Sequence, residues 1–336
     1  MRAVVSARRT TATPGQSRRN AIAELVNSPI GSIAITLVVV VIIGLAAVGG
    51  TFLTSSNLTI VSTNIAVPLL LATCSAFALL AGVVDLSIGS NAGLTASIFA
   101  DLVLHHWNPW SAALVVLAIG IVIGIVNAAV IVGLGAPPIA ATLGTLSALA
   151  GLQYVVNGTN GSLTVLVTGL YKFANTTVGA IPLVVLLLIA LVIVAVYVVT
   201  STRLGRHIRA AGGDERAANR AGISVRRIRI GCLILSGIGG ALAGILYIGQ
   251  LGGSTNILGS DVVFLVYAGV MIGGYSIIRG GVGNPAGGAM GLLVIAGVTD
   301  IIAVKSINTY YTDVIVGALL LLAVYFDRIR GGDAYE

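Results

Sequence analysis

Residues 181–200 read IPLVVLLLIALVIVAVYVVT, and residues 201–229 read STRLGRHIRAAGGDERAANRAGISVRRIR. The first stretch carries no charge over twenty positions, the length an α-helix needs to cross a hydrocarbon core about 30 Å thick. The second holds eight arginines, from Arg203 to Arg229. A long apolar run that stops against a dense basic one marks a membrane span ending on the cytoplasmic side.

Outward from this junction the pattern repeats. Of the 336 residues, 57% are hydrophobic and only 9% charged, against roughly 25% charged in a soluble domain. So little charge cannot cover a soluble surface, and so apolar a chain is not disordered. No series of alternating ten-residue strands is present, so α-helices are the natural way to satisfy the backbone in lipid. Ten apolar segments stand out, at about 30–51, 60–82, 86–105, 112–134, 137–156, 181–200, 230–250, 261–278, 284–304 and 311–326. The fold class is therefore an all-α polytopic membrane protein of about ten transmembrane helices.

Charge orders these spans. The net charge is +7, but it is not spread as a nucleic-acid surface would be. Fifteen of the 18 lysines and arginines fall in residues 1–19, 203–229 and 328–330. With an even number of crossings between these windows, all three face the cytoplasm, and so do both termini. Residues 1–27 read as a flexible cytoplasmic tail rather than a signal peptide, since the first 20 lack an apolar core. Residues 28–328 form the membrane domain, with 201–229 as its cytoplasmic loop, and 329–336 a second cytoplasmic tail.

The third and fifth spans are the most polar. One carries Ser87, Ser90, Asn91, Thr95, Ser97 and Asp101, the other Thr142, Thr145, Ser147 and Gln153. Such helices need partners inside a bundle, so both are expected in the interior. Close packing is also expected from small residues at spacing four, as in Gly89/Gly93, Gly120/Gly124, Gly240/Gly244, Gly269/Gly273 and Gly287/Gly291. Asp85–Gly93 faintly echoes Arg279–Gly287, a possible weak internal repeat of the kind transporters use. Cys74 and Cys232 lie within apolar runs and read as packed free thiols.

Several chemistries are disfavoured. The only lysines are Lys172 and Lys305, neither in a phosphate-binding Gly-Lys-Ser/Thr context. No nucleotide hydrolysis is expected of this chain, nor a catalytic residue. His105–His106 beside Trp107 and Trp110 read as an interfacial belt rather than a metal site. No acidic residue reads as clearly mid-membrane with a cationic partner, Asp101 coming nearest, so proton coupling is not expected.

Within 201–229, Gly212–Gly213 read as a break. Asp214 is placed to cap a short helix through Arg220, Glu215 sits in its first turn, and Gly222 ends it. Ala217, Ala218 and Ala221 give that helix a small apolar side suited to docking on a cytoplasmic partner.

The pattern Glu215-x-Ala217-Ala218-x3-Gly222 resembles the coupling loop of ABC importer permeases. The longer pattern runs Gly205-Arg206-x4-Ala211-Gly212-Gly213-x-Glu215-x-Ala217-Ala218-x3-Gly222-Ile223-x-Val225. It resembles the ribose/xylose/arabinose-type sugar permeases of the branched-chain amino acid/sugar permease superfamily. Asp85-Leu-Ser-Ile-Gly-Ser90 and Pro138-Ile-Ala-Ala-Thr-Leu-Gly-Thr145 agree with it, as do Ser236-Gly237 and Ala243-Gly244. The stretch 279–285 is one residue longer than the family pattern.

The resemblance implies a permease subunit, in the bacterial plasma membrane, of an importer for a monosaccharide or polyol. ATP and magnesium would be bound by a separate ATPase subunit. An extracytoplasmic sugar-binding protein would deliver the cargo, and a second permease copy, identical or not, would complete the pathway. The lipid bilayer is a further partner, and nucleic acid is not. ATPase coupling is expected of Arg206, Arg209, Gly213, Glu215, Ala217, Ala218 and Gly222, and a bulky residue at Ala218 is expected to abolish transport but not insertion. The polar pathway candidates are Asn64, Asn91, Thr95, Thr142 and Thr145. A branched-chain amino acid permease is the alternative, and an ion-coupled carrier the more distant one.

Overall fold

The computed structural model describes residues 29–332 except 160 and 309, so the expected tail 1–27 and residues 333–336 lie outside it. Each of the ten apolar segments forms a helix. These are α1 (Pro29–Val48), α2 (Ser55–Leu80), α3 (Ile88–Leu104), α4 (Pro109–Ala128) and α5 (Pro138–Asn157). Three helices lie outside those segments: α6 (Thr168–Asn175), α8 (Arg203–Gly213) and α9 (Glu215–Arg220), with α7 (Leu183–Ser201) between them. The order closes with α10 (Val225–Leu251), α11 (Val262–Ile272), α12 (Pro285–Val304) and α13 (Tyr310–Gly332).

Among the described residues, seven helices are long and apolar enough to cross a membrane by themselves: α1, α2, α4, α5, α7, α10 and α12. The expected span 261–278 is helical only in part. Its helix holds only the 11 residues of α11, about 16 Å or half a hydrocarbon core. Gly274, Gly281 and Gly283 adopt positive φ, so the chain after α11 turns instead of continuing helical. α3 is also short, at 17 residues.

Helix α10 is the central post, packed against α2, α3 and α4. Glycine allows the approach. A Cβ added at any of the ten glycines in the five expected pairs would stand within 2.7 Å of a neighbouring heavy atom. On Gly124 it would meet the Ile234 backbone, and on Gly240 the Asn91 side chain. Cys74 and Cys232 are buried free thiols.

The polar spans divide. α3 is interior along most of its length, with Ser90, Asn91, Thr95 and Ser97 all buried. α5 departs from expectation. It turns Thr142, Gln153 and Asn157 inward, but its other face, with Leu143, Leu152 and Val155, is exposed. Within one chain it forms the rim against α3, so only its polar side needs internal partners.

Between α5 and α7 the chain forms β1 (Ser162–Thr164), α6, β2 (Thr177–Val178) and β3 (Ile181–Pro182). β1 pairs antiparallel with β4 (Gly253–Thr255), just beyond α10, with Leu163 opposite Ser254. At the α3–α4 turn, Trp107 and Trp110 are exposed. Asp101 lies in the last turn of α3, part-exposed and 3.4 Å from His105.

Candidate coupling site and buried polar network

The basic segment 201–229 is more ordered than a loop. Thr202 caps α8 by accepting from the Gly205 N–H. Gly212 and Gly213 do not break this helix but form its last turn, and the break falls at Asp214, in extended backbone. Asp214 then caps α9, its Oδ1 accepting from Ala217 N at 2.9 Å. The Ala217 N–H holds the Asp214 carboxyl below its ordinary pKa, assisted by Arg216 N–H and the nearby Arg220 and Arg216 charges. Gly222, at φ +80°, closes α9. Its N–H donates to Asn219 O and that of Ile223 to Ala218 O, each at 3.0 Å, which satisfies the last carbonyls.

The expected coupling residues separate into two groups. Ala218 is buried, packed with Ala211 and Val225, so it holds α9 onto α8 and α10 instead of facing outward. Arg206, Gly213, Glu215, Ala217 and Gly222 are exposed. Arg206 Nη1 reaches Ser201 O at 3.4 Å. Glu215 is engaged within the chain, its Oε2 accepting from Arg229 Nη1 at 2.8 Å.

Arg209 spans two segments. Its Nη1 donates to Gly281 O at 3.2 Å and its Nη2 to Gly283 O at 2.8 Å. Gly212, which sequence reasoning passed over in favour of Gly213, is the tight position. A Cβ there would overlap Leu80 O and stand 2.7 Å from Gly281 N and 3.0 Å from Gly82 N. Gly213 has open space around it. Gly281 N donates to Leu80 O at 2.8 Å, and Arg229 Nε reaches Ala81 O at 3.3 Å. Backbone from α8, the end of α2 and the α11–α12 turn thus meets at one junction. The only sequence signal for it was the density of glycine in 280–283.

From that junction residues 81–87 lead to a buried acid. Asp85 is 1% exposed. Its Oδ1 accepts from Ser87 N at 3.0 Å and Ser87 Oγ at 2.6 Å, and its Oδ2 from Ser236 Oγ at 2.6 Å. Asn127 Nδ2 donates to Ser87 Oγ at 2.8 Å, and Thr145 Oγ1 to Asn127 Oδ1 at 2.7 Å. Tyr267 OH donates to Asp85 O and accepts from Asp85 N, both at 2.9 Å. This network joins the α2–α3 link to α4, α5, α10 and the half-length α11. Ser236 lies eleven residues into α10, about 16 Å from its start, so Asp85 is deep in the bundle. Asp85 lies between two helices and is nonetheless deep, because the α2–α3 turn is drawn inward alongside α10.

The pathway candidates also separate. Asn91 Nδ2 donates to Gly237 O at 2.8 Å and Thr95 Oγ1 to Asn91 O at 2.6 Å, both buried in the α3–α10 seam. Thr142 reaches Pro138 O at 2.9 Å, and Thr145 belongs to the Asp85 network. Asn64 alone is exposed and lines a cavity. Among the described residues no group of His, Cys, Asp and Glu is placed to hold a metal.

Residues 57–324 match a protein family described as branched-chain amino acid transport system / permease component. The chain is similar to the D-allose transport system permease protein AlsC of Escherichia coli (strain K12), 30% identical over 280 residues, covering 83% of this chain and 85% of that protein. It is similar to the autoinducer 2 import system permease protein LsrC of Salmonella typhi, 27% identical over 298 residues, covering 88% and 85%. The LsrC protein of Photorhabdus luminescens is 28% identical over 288 residues, covering 85% and 86%. No solved structure matches the chain.

Proposed function

The chain belongs to the branched-chain amino acid transport system / permease component family, and from that premise we propose that it is the membrane subunit of an ATP-driven importer for an uncharged monosaccharide or related polyol. Similarity to a D-allose permease protein over most of both chains supports the cargo class. In this reading α1–α5, α7 and α10–α13 make ten passages, α11 and α3 incompletely, with both termini in the cytoplasm of a bacterial cell. The concentration of eight arginines in 203–229 supports the cytoplasmic placement of α8 and α9.

The observation that carries the mechanism is the junction at Gly212. A separate ATPase, which binds ATP and magnesium, docks on the outward face of α9 around Arg216, Ala217 and Arg220. Arg206, Arg209, Glu215, Ala218 and Gly222 keep that face in place. Closure of the ATPase displaces α8–α9. The Gly212–Leu80–Gly281 junction passes the displacement to the end of α2 and to α11, and both lead to Asp85. A sugar-binding protein delivers cargo at the opposite end, and a second permease copy completes the pathway, to which Asn64, Asn91, Thr95, Thr142 and Thr145 contribute.

The test is uptake of radiolabelled D-allose, D-ribose and erythritol by cells carrying the complete system. ATP-driven import requires that uptake stop when the ATPase is deleted and survive an uncoupler. The buried carboxylate of Asp85 gives one observation in favour of an ion-coupled carrier, whose uptake would show the opposite pattern. Leucine uptake in the same assay would indicate an amino acid permease.

A further inference from the structure

At the end of the bundle remote from α8–α9, a furrow runs between α2, α10, α11, α12 and α13. It has two lobes of about 240 and 270 Å³ that share Asn64, Pro68, Leu265 and Thr312, near the lower end of the roughly 300–1,000 Å³ typical of small-molecule pockets. Asn64 lies nine residues into α2, about 14 Å from its start, and Leu80 a further 24 Å or so along the helix.

The lining is rich in hydrogen-bond acceptors that the fold leaves open. Pro68 has no N–H, so the Asn64 carbonyl loses its i+4 donor. The side chains of Asn64, Asp261, Thr312 and Asp313 make no hydrogen bond to any described residue. Asp300 is buried and has one oxygen engaged, accepting from Asn57 Nδ2 at 2.7 Å. No lysine or arginine lines either lobe. Tyr247 and Leu265 add apolar surface.

Carboxylate and carbonyl oxygens left without a donor along a furrow are complementary to a ligand that donates hydrogen bonds. Three carboxylates without a cation repel an anion. We infer that the furrow is a binding station for the cargo on its way through the permease, shaped for a small, uncharged, hydroxyl-rich molecule and hostile to its phosphorylated or carboxylated forms. This rests on the sugar-importer reading.

The test uses the complete importer, with its ATPase and binding protein, in proteoliposomes. Asn64→Cys and, independently, Thr312→Cys are treated from the binding-protein side with a cationic methanethiosulfonate. Labelling should arrest import of whichever of D-allose, D-ribose or erythritol the unsubstituted importer carries, and saturation with that sugar should slow labelling several-fold. Asp261→Asn with Asp313→Asn should lower the ratio of maximal rate to half-saturating concentration by roughly tenfold or more, as loss of a charge-assisted hydrogen bond implies, while binding-protein-stimulated ATP hydrolysis persists. Unchanged import after labelling at both positions would overturn the proposal, as would protection by putrescine instead of sugar. If the unsubstituted importer carries none of the three sugars, the sugar-importer reading falls first and this proposal with it.

Discussion

Gly212 rests on the carbonyl oxygen of Leu80 so closely that no side chain fits between them. The two residues belong to different parts of the fold: Gly212 lies in the last turn of the helix that precedes α9, and Leu80 ends a buried helix of the bundle. Displacement of one must therefore move the other.

Gly212→Ala would force the backbone of α8 away from Leu80. Small-to-large changes in packed sites cost about 1–3 kcal/mol, so transport should fall roughly tenfold or more while ATP hydrolysis becomes less dependent on the binding protein. Gly213→Ala, in open space, is the control. It should leave transport unchanged and stabilise α8 by up to ~1 kcal/mol. Equal loss of transport in both variants would remove the junction from the mechanism.

Arg209→Lys tests the bridge to the α11–α12 turn. A lysine cannot reproduce a planar fork aimed at Gly281 O and Gly283 O. Coupling efficiency, read as sugar imported per ATP hydrolysed, should drop although the positive charge remains. Full retention would show that charge alone matters there.

Ala218→Leu overpacks the contact with Ala211 and Val225. It should loosen α9 and lower the thermal midpoint of the purified protein in detergent. The exposed Ala217→Leu should leave that midpoint alone and instead weaken ATPase association in pull-down. A reversed pattern would mean that α9 docks by its other face.

Asp214→Ala removes the cap of α9. Since the folded state lowers the Asp214 pKa, its contribution is present above the ordinary carboxylate range and is lost as pH falls through the lowered folded value. ATPase association should therefore weaken in Asp214→Ala near neutral pH, and its difference from the parent should shrink in acid. A difference that grows on acidification would contradict the capping role.

Ser236→Ala leaves Asp85 Oδ2 without its donor deep in the bundle. An unsatisfied buried polar group costs about 1–3 kcal/mol, more if charged. The variant should unfold at lower temperature in detergent. An unchanged midpoint would show that the Asp85 network carries little stability.

What could be read from the sequence depended on how local the cause was. The α9 helix was legible from Asp214 to Gly222 because its cap, first-turn acid and terminal glycine act within nine residues. The ten helices were legible from apolar length. The half-length of α11 was hidden because hydropathy runs on past Ile272, while the stop is set by the backbone of Gly273–Gly283 packing elsewhere. Gly212–Gly213 looked like a helix break, since nothing local shows that Leu80 leaves Gly212 room for nothing else. The depth of Asp85 was hidden because it is set by Ser236, 151 positions away.

The β1–β4 pairing has a consequence of its own. The three residues of β1, ahead of α6, are stitched to the three of β4, just beyond α10, so the segment between α5 and α7 is tied to the central helix. An insertion in 157–182, such as an epitope tag, would be mechanically silent between β1 and α6 only if the stitch survived. One that pulled Leu163 from Ser254 would release the 157–182 segment from its post while leaving every long helix of the bundle intact.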